Sequence, residues 1–125
     1  MFAFRRDKYY KFFMVKQQTK FNSRNIYFVH TNECDIDKFS YYKHSHFRYE
    51  LYIFLHGKCT LRIEDKSFEL EPFNTVLIQP GHHHHLILHK DADSYDRIVI
   101  NFDKNAIFPE LFDFLSAQTE VFALT

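Results

Sequence analysis

His44-Ser45-His46-Phe47-Arg48-Tyr49-Glu50, followed by Leu51 to Gly57 (LYIFLHG), carries two histidines one residue apart and a glutamate four positions later. Side chains of an extended strand alternate between faces, so His44 and His46 share a face and Glu50 has the same parity. A straight strand would put Glu50 ~13 Å beyond His46, at roughly 3.3 Å per residue. Ligands of one metal ion lie roughly 2 Å from it. A common site therefore requires a sharp bend at Phe47-Arg48-Tyr49. His84, far downstream and after its own turn, is a fourth candidate.

Working outward, Tyr49 to Leu55 (YELYIFL) is rich in strand formers and apolar on both faces except for Glu50, so both faces must be covered. His56-Gly57-Lys58 is a turn. Cys59 to Glu64 (CTLRIE) alternates as a half-buried strand should, with Cys59, Leu61 and Ile63 on one face. Asp65-Lys66 is a candidate hairpin turn, followed by Phe68 to Leu70, a turn at Pro72, and a short strand from Thr75 to Gln79. Pro80-Gly81 punctuates before a strand from His82 to Leu88. A polar loop, Lys90 to Ser94, then leads to Tyr95–Phe102 (YDRIVINF), the last long strand. Upstream, Asn25 to Val29 is a short strand and Thr31 to Lys38 a loop. Residues 1–21 mix aromatic and basic side chains and read as an arm or short helix. After Phe102 the period becomes helical: Pro109 suits a first helical turn, and Phe108, Leu111, Phe112 and Leu115 recur at helical spacing. Many short strands and then one helix predict an all-β barrel or sandwich with a short C-terminal helix. The expected organisation is one domain over 1–125, with the barrel at 25–103 and a helical segment at 104–125.

At 125 residues the chain has the length of one domain able to bury a core. Lysine plus arginine and aspartate plus glutamate number 16 each, which removes any net pull toward nucleic acid or anionic membrane. The 16 phenylalanines and 8 tyrosines, with no tryptophan, predict a core or cavity wall built of rings. Cys34 and Cys59 do not form a disulfide scaffold, charges interrupt the N-terminal stretch where a signal peptide would be apolar, and no apolar run spans a bilayer. A cytoplasmic protein without a membrane partner is expected.

The spacing His44-x-His46-x3-Glu50-x6-Gly57 resembles the first cupin motif, and Asn74 to His84 (NTVLIQPGHHH) resembles the second. That register selects His84 from the run His82 to His85. The text from Tyr49 through YDRIVINFD is similar to the N-terminal sensory domain of AraC/XylS-type transcription regulators, over roughly residues 39 to 104. The resemblance implies a double-stranded β-helix holding a small-molecule effector, a sugar or other metabolite. It also implies helices after the barrel that form a homodimer, and DNA contact only through a separate C-terminal domain, for which no residues follow Thr125. Phe73 and Asn74 stand where the family has glycine and aspartate, and Gln79 where it has proline.

The functional expectation is therefore an effector-sensing, dimerising domain of an AraC-type regulator rather than an enzyme. The alternative is a stand-alone metal-dependent cupin enzyme of the dioxygenase or sugar isomerase type. His44, His46, Glu50 and His84 are the candidate ligands of a divalent ion, with Zn, Ni, Fe and Mn all suited to this donor set. The same residues also suit a metal-free site in which the imidazoles and Glu50 bond one another and a ligand. Tyr52 and Phe54 share the parity of Glu50 and are candidate ligand contacts, as is Tyr42, with Phe39, Tyr41 and Tyr49, at the mouth. Alternation sends His83 and His85 to the face opposite His84. His30, His56 and His89 read as ordinary surface residues, and Arg97, the one basic residue interrupting the last strand, either holds an anionic effector or faces solvent, with solvent the preferred reading.

Overall fold

The computed structural model describes residues 16–34, 47–118 and 121–123. Among the described residues nine strands run in chain order: β1 Lys16–Asn22, β2 Ile26–Cys34, β3 Tyr49–His56, β4 Cys59–Ile63, β5 Lys66–Glu69, β6 Asn74–Ile78, β7 His84–Leu88, β8 Ser94–Phe102 and β9 Phe122–Ala123. A short 3-10 turn at Lys104–Ala106 precedes one helix, α1, at Pro109–Ser116. A six-stranded sheet has the order β1-β2-β8-β3-β6-β9, and a three-stranded sheet the order β5-β4-β7. The pairings are antiparallel. No described helix is long and apolar enough to cross a membrane.

Among the described residues the chain passes between the sheets at four turns, β3–β4, β5–β6, β6–β7 and β7–β8, and three of them have an identifiable cause. Between β3 and β4, Gly57 adopts φ +136°, and a Cβ there would lie 2.7 Å from the Ser94 carbonyl oxygen, so only glycine fits. Between β6 and β7, Pro80-Gly81 turns with Gly81 at φ +83°. Between β7 and β8, the loop is tied back to the first crossing by the Lys58–Asp91 ion pair (2.7 Å) and by the His89 amide donating to the Lys58 carbonyl.

Strand alternation then builds the core. Tyr52 and Phe54 from β3, Cys59, Leu61 and Ile63 from β4, Val76 and Ile78 from β6, and Leu86 and Leu88 from β7 are all buried between the sheets. The outer face of the large sheet is also partly covered. α1 lies across it, buries Leu115, and sets Phe112 edge-on against Tyr49 (ring centroids 5.1 Å apart), which itself stacks on Phe102. The expectation that β3 is covered on both faces is met in this way.

Local differences from the sequence reading are informative. Lys16–Asn22, expected within an arm or short helix, is a strand paired along its whole length with β2. Its composition is polar, so the ladder with β2 supplies the order that its side chains do not advertise. Residues 1–15 lie outside the described residues. β2 continues through Thr31–Cys34, read as loop, because it pairs as far as Cys34 with β8. Ile63 pairs with Lys66, so the β4–β5 turn is Glu64-Asp65 rather than Asp65-Lys66, with Glu64 at φ +52°. Beyond the helix, β9 adds a short strand to β6.

Candidate functional site

The inner faces of the two sheets line a partly open cavity of about 280 Å³. The large sheet contributes Val29 from β2, Glu50 and Tyr52 from β3, and Tyr95, Arg97, Val99 and Asn101 from β8. The small sheet contributes Leu61, His84 and Leu86. Register sets their order: Glu50 lies opposite Asn101, and Tyr52 opposite Val99, which also faces Val29 across β2.

At one end of the cavity, Nε2 of His84 lies 3.2 Å from Oε2 of Glu50, with both side chains nearly buried (5% and 6% exposed). Asn101 Nδ2 donates to the other carboxylate oxygen of Glu50 at 3.2 Å. Burying a carboxylate is costly unless it is paired and hydrogen-bonded, and here the Asn101 amide hydrogen-bonds it while the His84 imidazole lies within ion-pair distance.

In the middle, the hydroxyls of Tyr52 and Tyr95 are 2.6 Å apart. Burial, reinforced by Tyr95, holds the Tyr52 phenol well above its ordinary pKa. Beneath it, burial pushes the Cys59 thiol up to about 12, so this cysteine is an inert neutral packing group at neutral pH. At the other end, Arg97 lies over the Tyr95 ring at 4.1 Å and reaches Glu33 Oε1 at 3.4 Å, with both charged side chains 13% exposed.

The structure thus brings Glu50 and His84 together and places Tyr52 on the cavity wall. Phe54 is fully buried in the core and is not among the cavity-lining residues. His44, His46 and Tyr42 lie outside the described residues, as do Phe39 and Tyr41. The chain bends at Phe47-Arg48 immediately before β3. Among the described residues no group of three or more His, Cys, Asp and Glu side chains is arranged to hold a metal. His83 and His85 are more exposed than buried His84, as alternation predicts. His30, expected as an ordinary surface residue, is half-buried in a 2.7 Å pair with Asp96.

Arg97 is a correction: expected to face solvent, it lines the cavity. Tyr95, Val99 and Asn101 were likewise not singled out. The available signal was parity, because Tyr95, Arg97, Val99 and Asn101 share one face of β8. The opposite face, with Ile98, Ile100 and Phe102, is the more apolar, so hydrophobicity alone selects the wrong side as the interior. α1 and the neighbouring strands cover that outer face, and this resolves the conflict.

The family model for the AraC-like ligand binding domain matches residues 27–118. No curated protein sequence matches the chain. Among solved structures, a cupin superfamily protein from Desulfitobacterium hafniense is similar at a TM-score of 0.59 and 14% identity, over 71% of this chain and 78% of that one. An RmlC-like cupin family protein with a double-stranded β-helix fold from Methanocaldococcus jannaschii gives a TM-score of 0.59 and 18% identity, over 80% and 87% of the two chains. The DMSP lyase DddQ from Ruegeria pomeroyi gives a TM-score of 0.59 and 17% identity, over 78% of this chain and 52% of that one. At such identities the likeness establishes the fold, a cupin barrel.

Proposed function

Since the chain belongs to the family of AraC-like ligand binding domains, we propose that it senses a small-molecule effector, a sugar or other metabolite, held in the cavity between its sheets. The observation that supports this reading is the cavity itself. Its volume of about 280 Å³ is close to the lower end of ligand pockets, ~300 Å³, and well above the ~150 Å³ that suffices for benzene. Its apolar walls and few convergent polar groups are the lining that such pockets have. Effector binding acts by its differential affinity for two arrangements of the barrel and the elements packed on it. The domain works in the cytoplasm, as a homodimer, and contact with DNA belongs to a helix-turn-helix domain outside these residues.

Titration with a metabolite library, read by amide chemical shifts, tests the reading. A binder is expected whose contacts map to Tyr52, Val99 and Leu86, and Val99→Trp, which fills the cavity, should abolish its binding while the fold persists. A library without a binder, or binding that survives Val99→Trp, sinks it.

A second reading, a metal-dependent cupin enzyme, is favoured by one observation. Two donors bound to one ion at ~2.1 Å lie roughly 3 Å apart, and His84 Nε2 and Glu50 Oε2 are separated by 3.2 Å. His84 and Glu50, completed by His44 and His46, would hold a divalent Zn, Ni, Fe or Mn ion, which supplies Lewis-acid or oxygen-activating chemistry. Elemental analysis of untagged protein decides: stoichiometric metal lost in Glu50→Gln supports it, and metal-free protein overturns it.

A further inference from the structure

Each charged side chain described on the cavity wall has its partner within the protein. Arg97 stacks over the Tyr95 ring at 4.1 Å and pairs with Glu33, while Glu50 has His84 Nε2 at 3.2 Å and the Asn101 amide. A charged ligand group would have to displace one of these partners or be buried without one, and either is costly. The Tyr52 and Tyr95 hydroxyls likewise bond each other, at 2.6 Å.

Asn101 differs. It is half-buried, lines the cavity, and donates from Nδ2 to Glu50 Oε1 at 3.2 Å. A carboxylate accepts and does not donate, which fixes the amide with its nitrogen toward Glu50 and Oδ1 away from it. Nδ2 carries a second hydrogen, and neither that hydrogen nor Oδ1 has another partner among the described residues. Asn101 therefore offers one acceptor and one donor to an incoming group. Next along the inner face of β8 comes Val99, paired in register with Val29 and Tyr52, and Leu61 and Leu86 of the small sheet complete this apolar part of the wall.

Resting on the sensing reading above, we infer that the effector is a neutral molecule with an apolar body against Val29, Leu61, Leu86 and Val99 and a single hydroxyl or carboxamide held by Asn101. Both groups donate and accept, so each matches the two open positions of the Asn101 amide. A sugar fits less well, because hydroxyls around its ring would face four aliphatic side chains without partners. A carboxylate also fits less well: it has no hydrogen to give Oδ1, and its charge repels that of Glu50 beside Asn101. The cavity of about 280 Å³ is nearly twice the ~150 Å³ that holds benzene, which leaves room for roughly six to eight carbons.

The test is titration of the whole chain, read by chemical shifts, with hexan-1-ol, its isomer 1-methoxypentane, hexanoate and glucose. The ether matches the alcohol in size but has no hydrogen to donate. Hexan-1-ol is expected to bind about 5-fold more tightly than the ether, within the range of one net hydrogen bond, and at least ~10-fold more tightly than hexanoate or glucose. Nuclear Overhauser contacts should join its carbinol methylene to the Asn101 side-chain amide and its alkyl chain to Val99 and Leu61. In Asn101→Leu the alcohol should fall to the level of the ether, with the ether unchanged; if that variant does not fold, the Overhauser contacts in the unmodified protein decide. Equal binding of alcohol and ether, tighter binding of hexanoate or glucose, or contacts that place the hydroxyl away from Asn101 overturn this inference and leave the sensing reading standing. Binding of none of the four overturns it too, and the library titration then decides the sensing reading by itself.

Discussion

Phe73 occupies a left-handed backbone conformation, φ +70°, with its ring largely exposed (61%) and its amide donating to the Phe54 carbonyl at 2.7 Å. A residue with a Cβ loses about 1–2 kcal/mol in that region. Phe73→Gly should therefore raise stability by about 0.5–1 kcal/mol after glycine's extra unfolded-state entropy is subtracted, as read from the urea midpoint. Gly57 is the opposite case: Gly57→Ala meets the Ser94 carbonyl at 2.7 Å and should cost at least ~2 kcal/mol in the same measurement. Titration gives a third residue-level expectation. The Cys59 thiol rises from 9.0 to about 12, and the Tyr52 phenol rises well above 10.0, so the fold favours the neutral form of both. Above pH 9 the unfolded chain releases these protons before the folded one does. Stability is then fully present below pH 9 and falls as pH rises toward 12. A pH series of urea unfolding checks this, with Cys59→Ala expected to flatten the alkaline slope between those values.

At the scale of elements, α1 shows how packing overrides local preference. Eight residues are too few for a helix to persist alone in water, where ~12–15 are needed. Pro109 at its start fixes the first turn, but Leu115 under the sheet and Phe112 against Tyr49 hold it in place. Leu115→Ala should remove hydrogen-exchange protection from the amides of Phe112 and Ala117 while β3 and β8 remain protected, and should cost about 2 kcal/mol. Equal loss of protection in helix and sheets would show instead that the helix and barrel unfold as one unit. β1 makes the complementary point, since a polar segment is ordered here by a complete antiparallel ladder to β2.

At the scale of the whole molecule, the inner and outer faces of the large sheet divide the work. The inner face lines the polar-ended cavity. The outer face, with α1, forms an apolar groove of about 370 Å³ between Phe21, Phe28, Leu51, Ile100 and Leu111, and α1 leaves Phe108, Leu111 and Phe114 exposed. The homodimer proposed above would bury these side chains, since apolar clusters of this kind favour association. Sedimentation equilibrium should find a dimer that Leu111→Glu converts to monomer, with effector-site shifts unchanged. A wild-type monomer at all concentrations would remove dimerisation from the proposed function.

The alternation of CTLRIE, the turn residues Gly57 and Pro80-Gly81, and the helical spacing from Phe108 to Leu115 were enough to specify a β-barrel with a helical tail, because these signals are local and repeat with the period of the element that they form. Of the spaced residues His44, His46, Glu50 and His84, the structure joins Glu50 and His84, while His44 and His46 lie outside the described residues, and alternation correctly turned His84 away from His83 and His85. What parity could not say is which face of a strand is the interior when both faces are covered. Arg97 was therefore misplaced, and Asn101 and Tyr95 passed unnoticed. The meeting of Glu50 with His84 and of Arg97 with Glu33 joins residues far apart in the chain, and only the pairing of β2, β3 and β8 and the stacking of the second sheet on them brought those groups within reach of one another.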